Sequence, residues 1–132
     1  MEKTLLIVKP DATERNLIGH IINRLEKAKF EIVELRMVRL TKEEAGKFYA
    51  VHKERPFYDE LTTYMCSGRI VPMVLQKENA IADLRELIGA TNPAEAACGT
   101  IRDEIGMDKQ RNSVHASDSP ESAAIEIPFF FS

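Results

Sequence analysis

Apolar residues along this chain alternate between short unbroken runs and stretches with helical spacing. Thr4–Val8 is a near-continuous apolar run, the pattern of a strand covered on both faces, and Pro10 ends it. Leu17, Ile18, Ile21, Ile22, Leu25 and Ala28 recur at helical intervals and predict an amphipathic helix over 17–28. Phe30–Leu40 mixes Val, Ile and Leu with charges and reads as a long, one-faced strand suited to a sheet edge. Thr41-Lys-Glu-Glu44 is a capping box opening a short helix. A second helix is expected from Tyr58 to Cys66, stopped by Ser67-Gly68. Ile70–Leu75 is the third strand, and Asn79 is placed to cap a helix reaching Ile88-Gly89. From Ala90 to Arg111 no period persists, and Pro93, Gly99 and Gly106 interrupt it, which predicts a long functional loop. A short apolar step then ends at His115. Ser119-Pro120 is a helix start for residues 120–127, with Asp118 and Glu121 as an alternative cap pair one residue earlier.

This order predicts one domain over residues 1–132, an α+β sandwich of the ferredoxin-like βαββαβ kind. Its antiparallel four-stranded sheet would carry helices packed against it. Pro72 is awkward, because proline removes a ladder donor. Either it lies at a bulge, or the strand begins after it.

Composition narrows the function. Of the 132 residues 44% are hydrophobic and 30% charged, as in ordinary globular domains. The net charge of −3 argues against a nucleic-acid surface. It leaves room for a small polyanion, since a local Arg/Lys cluster can oppose the global sign. No run approaches the roughly 18 apolar residues that span a membrane, and Met1–Val8 is too short for a signal-peptide core. Cys66 and Cys98 lack metal-ligand spacing and are expected to be inert, reduced thiols in a cytoplasmic protein.

Candidate chemistry concentrates in Arg111-Asn-Ser-Val-His-Ala-Ser-Asp118. Neutral imidazole is a nucleophile near pH 7, and a helix start beside it attracts phosphate. The helix carries Glu126 back toward His115, where a carboxylate would fix the tautomer and leave the other nitrogen free to attack. The competing reading is a satisfied structural histidine. Lys9 has its own alternative, a strand end in solvent. Arg85 and Arg102 fit surface ion pairs as well as phosphate ligands, and Phe57 fits plain core. Arg55 reads as structural, Arg111 as facing solvent or another subunit, and His20 and His52 as bland.

The motifs Ile7-Val-Lys-Pro-Asp11, Lys53-Glu-Arg-Pro-Phe57, Gly68 before an apolar strand and Gly89-Ala-Thr-Asn-Pro93 occur in this order. Gly99-Thr-Ile-Arg102 and Asn112-Ser-Val-His-Ala-Ser-Asp118 complete the series. In these the chain resembles the nucleoside diphosphate kinase family along nearly its whole length. The resemblance implies ping-pong transfer of the γ-phosphate of a nucleoside triphosphate to a nucleoside diphosphate. His115 would be the nucleophile, phosphorylated at its δ nitrogen. Glu126 matches the carboxylate that holds the ring, and Ser117 the hydroxyl that bonds this carboxylate or the ring. Arg85, Arg102 and Thr91 match phosphate donors. Lys9 and Asn112 match residues on the sugar hydroxyls, with Lys9 also near the transferred phosphate. Tyr49 matches a wall of the pocket beside Lys9 and the histidine. Phe57 matches the stacking platform for the base, with Leu61 beneath it, which implies broad base specificity. Mg²⁺ is implied as a passenger on the substrate phosphates, with no dedicated metal site, and a homo-oligomer built from dimers, tetramer or hexamer, is implied.

Two departures stand out. Ala116 occupies a position that is usually glycine in the family, and strain is expected if that position needs φ > 0. Longer members continue past the Pro128-Phe-Phe-Phe-Ser132 segment with a tail that braces neighbouring subunits. The three phenylalanines are expected under a fold edge or in an interface. An RNA-binding module of the same fold would show strand aromatics and a basic face, and Leu5–Val8 and Ile70–Leu75 have no aromatic residue. A silent nucleotide-binding relative would lack the histidine.

Overall fold

The computed structural model describes residues 1–131; the Ser132 end of the terminal apolar segment lies outside the described residues. The strands β1 (Glu2–Val8), β2 (Glu31–Leu35), β3 (Val71–Lys77) and β4 (Val114–Ala116) form one sheet in the order β2-β3-β1-β4. All neighbours pair antiparallel, as the ferredoxin-like reading predicts. Between them run α1 (Pro10–Glu14), α2 (Ile18–Lys27), α3 (Lys42–Phe48), α4 (Tyr58–Met65), α5 (Ala80–Ile88), α6 (Ile101–Ile105) and α7 (Pro120–Phe131).

Helices cover both faces of the sheet. Leu6 and Val8 of β1 pack with Ile21 and Leu25 of α2 and with Leu84 and Ile88 of α5. Leu5 and Ile7, pointing the other way, pack with Ala45 of α3, Met65 of α4 and Phe130 of α7. Successive strand residues face opposite sides, so a central strand covered twice is apolar at every position.

Several expectations change in detail. The strand read over 30–40 stops at Leu35, with a register shift between Ile32 and Glu34, and pairing returns only at an isolated Val38–Ile70 bridge. Its edge position holds. Pro72 is neither at a bulge nor outside the strand: it lies inside β3, opposite Ile7. Its carbonyl accepts the Arg36 N–H at 3.1 Å, beyond the end of β2. The bond that proline cannot donate falls at that same edge, so no regular ladder bond is lost.

The loop expected over 90–111 contains α6, closed by Thr100 Oγ1 accepting the Asp103 N–H at 3.3 Å and by Gly106 at the other end. Five residues are too few to display a period. Asn79 occupies the cap position of α5, but with φ 56 its side chain donates to Asp83 instead of capping. Thr41 and Glu44 form the expected reciprocal capping box. At α7, Ser119 Oγ accepts the Ser122 N–H at 3.1 Å, which selects Ser119 over the Asp118–Glu121 pair. That helix continues through Pro128 to Phe131, where Arg36 donates to the Phe130 carbonyl at 2.7 Å and satisfies one of its open ends. Phe130 is buried, as expected of a residue under the fold edge, whereas Phe129 is 36 % exposed although it lies against Phe48 at 5.2 Å.

Candidate active site

The short strand β4 organises the site. Its register sets His115 opposite Ile7 and Val114 opposite Val8, and the Lys9 N–H donates to the Ser113 carbonyl at 2.9 Å. Lys9 and His115 are therefore brought together by backbone pairing at the end of the central strand.

His115 Nε2 lies 3.0 Å from Glu126 Oε1, and Ser117 Oγ donates to the same oxygen at 2.8 Å. Burial would raise the Glu126 carboxyl. The hydrogen bonds from the His115 ring and the Ser117 hydroxyl, with the nearby Arg85 charge, outweigh it and hold the group below its ordinary range. An ionised carboxylate only accepts, so Nε2 carries the proton and Nδ1 presents its lone pair. Two rings wall the imidazole edge-on, Phe48 at 5.5 Å and Tyr49 at 6.1 Å. Tyr49 is buried, which raises its phenol, with the Glu126 charge adding to the effect.

Lys9, only 5 % exposed, donates from Nζ to Asn112 Oδ1 at 2.9 Å and to the Gln110 carbonyl at 2.7 Å. Asn112 in turn donates to the Thr91 carbonyl at 3.0 Å, which ties three of the expected residues into one chain. Arg102 spreads its fork between the carbonyls of Gly89, at 3.0 Å, and Val114, at 2.8 Å, while its Nε is buried without a partner. Arg85 lies 3.4 Å from the Ala116 carbonyl and pairs with Asp118 at 2.9 Å.

Burial, with Arg85 next in weight, lowers Arg102 to about 10. Burial and then the Arg102 charge lower Lys9 to about 8. Three cations thus crowd one end of the sheet, a field that an oligophosphate relieves.

Phe57, 42 % exposed at the start of α4, lies under the Arg55 guanidinium and 5.4 Å from His52. The Leu61 N–H bonds the Phe57 carbonyl one helical turn on, which puts the two side chains on one face. His20 bonds Glu104 at 2.6 Å, and Arg24 meets the same carboxylate, a tie between α2 and α6 away from this site. Arg111 pairs with Asp108 at 2.7 Å. Two participants escape sequence reasoning. Phe48 has the pattern of ordinary core, and Gln110 acts through its backbone, which no side-chain pattern reports.

Ala116 carries no strain. It sits in β4, buried and packed in the core, and it is absent from the positive-φ positions among the described residues, Asn16, Lys29, Asn79, Ser113, Gly89 and Gly99. Ala116→Gly should therefore lower the stability by about 1 kcal/mol, from one lost buried methyl and the added freedom of glycine in a strand. A urea titration that shows a stabilised variant overturns this account of the position.

A sequence model of the nucleoside diphosphate kinase family matches residues 2–132. The chain belongs to this family. A nucleoside diphosphate kinase of Desulfatibacillum aliphaticivorans is 60% identical over 131 residues, which cover 99% of this chain and 95% of that one. That of Chlorobium chlorochromatii is 58% identical over 132 residues, all of this chain and 94% of that one. Among solved structures, the Aquifex aeolicus nucleoside diphosphate kinase superposes with a TM-score of 0.97 at 51% identity, covering 99% of this chain and 95% of that one. The Halobacterium salinarum nucleoside diphosphate kinase, solved in complex with CDP, gives 0.95 at 38% identity, covering 99% and 88%. The activity of this chain is that of a phosphotransferase, a nucleoside diphosphate kinase.

Proposed function

We propose that His115 is the phosphoryl acceptor of a ping-pong nucleoside diphosphate kinase whose machinery is carried by residues 1–132 as one domain. The observation that carries this reading is the bond of Nε2 to an ionised Glu126, which leaves Nδ1 as the nucleophile. In the first half-reaction Nδ1 attacks the γ-phosphorus, an N–P bond forms, and the bond to the β-phosphate oxygen breaks. The nucleoside diphosphate leaves with that electron pair. Glu126 keeps the Nε2 proton hydrogen-bonded throughout, and Ser117 fixes the carboxylate. The second half-reaction reverses these steps on another diphosphate.

Such a transfer needs positioning and charge neutralisation more than covalent help. Arg85, Arg102 and Thr91 are assigned to the phosphates. Arg85 is half-exposed, and its surface pair with Asp118 is weak enough to be exchanged for phosphate oxygens. Lys9 and Asn112 are assigned to the sugar hydroxyls and the transferred group. Tyr49 walls the pocket, and Phe57 over Leu61 stacks the base.

Among the described residues no group of three or more His, Cys, Asp or Glu is placed to hold a metal ion. The cationic donor set instead fits a phosphate chain that brings Mg²⁺ with it. That ion would neutralise phosphate charge when bound.

The exposed edge strand β2 with Val33 and Leu35, and the exposed Met37 just beyond it, support a homo-oligomer built from dimers, whether tetramer or hexamer. The free cysteines support a cytoplasmic setting. No helix among the described residues is long and apolar enough to cross a membrane.

ATP labelled at the γ-phosphate, given without acceptor, should leave an acid-labile, alkali-stable label. Stacking on Phe57 reads no base edge, so ADP, GDP, CDP and UDP should each discharge it at rates within about tenfold of one another. A label that resists all four overturns the assignment.

A further inference from the structure

Asp11 closes the Lys-Pro-Asp segment, and the roles assigned above leave it idle. Its side chain is buried, at 5 % exposure, where three elements meet. The Tyr64 hydroxyl of α4 donates to Oδ1 and accepts the Asp11 N–H at 2.9 Å. Ser113, which leads into β4, donates to Oδ2 at 3.3 Å. Ser113 is fully buried and holds φ 77, a left-handed conformation that non-glycine residues rarely adopt. It stands between Asn112 and Val114, and its carbonyl receives the Lys9 N–H.

The surroundings of Lys9 show what such a carboxylate does. The ammonium bonds two neutral acceptors, Asn112 and the Gln110 carbonyl, and lies 5.6 Å from the centre of the Tyr64 ring. The charged groups that bear on it are Arg102 from α6, Asp11 from α1 and Asp108 from the turn before β4. Arg102 opposes the lysine charge, and Asp108 is engaged by Arg111, whose Nε and Nη2 both donate to its Oδ2. The Asp11 partners, Tyr64 and Ser113, are both neutral, so its charge is not spent on a cation of its own. Burial, with the Asp11 hydrogen bond and charge behind it, raises the Tyr64 phenol, which keeps it a donor.

We propose that Asp11, held by Tyr64, is a positioning residue that supplies the counter-charge of the Lys9 ammonium and pins the Ser113 turn from which Asn112 and His115 are set. The proposal rests on the assignment of Lys9 to phosphoryl transfer. Two readouts separate the two ideas. One is the alkaline limb of kcat/KM against pH, which reports the free enzyme. The other is the ¹³Cε shift of Lys9, assigned by its absence in Lys9→Arg.

Removing an opposite charge near a lysine favours the neutral amine, so Asp11→Asn should move both titrations to lower pH by about one unit. A fall in activity with the Lys9 titration unmoved overturns the proposal and leaves Asp11 a packing residue. A Lys9 titration that moves while the limb stays overturns it through its premise, the role of Lys9. If Asp11→Asn does not fold, Tyr64→Phe keeps the ring near Lys9 and frees the carboxylate to turn away and hydrate. It should shift both titrations the same way by a smaller amount, and unmoved titrations in that variant overturn the proposal.

Discussion

His115→Ala is expected to abolish the phosphoenzyme label and to cut kcat by on the order of 10⁴–10⁶, about 5–8 kcal/mol of transition-state stabilisation. The magnitude follows from the chemistry. Without a side-chain nucleophile the two half-reactions lose their shared intermediate, and direct transfer would need donor and acceptor nucleotides in one pocket together. Binding should survive, because Lys9, Arg85, Arg102 and Phe57 remain. Glu126→Gln makes the informative contrast. It keeps a group within reach of Nε2 but lacks the charge that selects the tautomer, so labelling should persist and slow by about 10²-fold. Rapid quench with γ-labelled ATP measures both variants. A label that persists in His115→Ala, at any site, would overturn the assignment of the nucleophile.

The two variants also mark what could be read from the chain. His115, Ser117 and Glu126 lie within twelve positions of one another, on a strand end and the first turns of a capped helix. Local spacing was enough to suggest that His115 and Glu126 meet, while Ser117 was named only by the resemblance to the family. Lys9 and Asn112 meet through sheet pairing 103 residues apart in sequence, which no local pattern reports, and only the resemblance to a family named them beforehand. The sheet was legible for a related reason. β1 is covered twice and β2 once, and that difference appears directly as an unbroken apolar run against one interrupted by charges. Pro72 misled because its tolerance depends on where a neighbouring strand stops. α6 escaped because one and a half turns cannot show a period, although Thr100 and Gly106 mark its ends. Phe48 stayed hidden because a residue that walls a catalytic ring and a residue that fills a core look alike in sequence.

Arg102→Met is expected to lower kcat/KM by on the order of 10²–10³, through loss of charge-assisted bonds worth about 1.5–3 kcal/mol each. Methionine preserves length and much of the volume, so the core around Ile101 should tolerate it. What disappears is a planar fork that already spans the Gly89 and Val114 carbonyls and therefore fixes where any remaining donor edge points. The same variant carries a signed pH test. Burial and the Arg102 charge both depress Lys9, which titrates near 8. With Arg102 neutralised, the charged form of Lys9 becomes easier to keep, and the alkaline limb of kcat/KM should move to higher pH, opposite to Asp11→Asn. Stability shifts in the same window. A lysine whose folded pKa lies below its unfolded value near 10.4 makes the protein more stable as pH rises from about 8 to 10.4. That rise should become smaller in Arg102→Met, because the Arg102 charge no longer depresses Lys9 while burial, the larger cause, still does. Urea titrations at pH 8 and pH 10 measure the rise, and an equally steep rise in the variant would show that Arg102 does not govern the Lys9 charge.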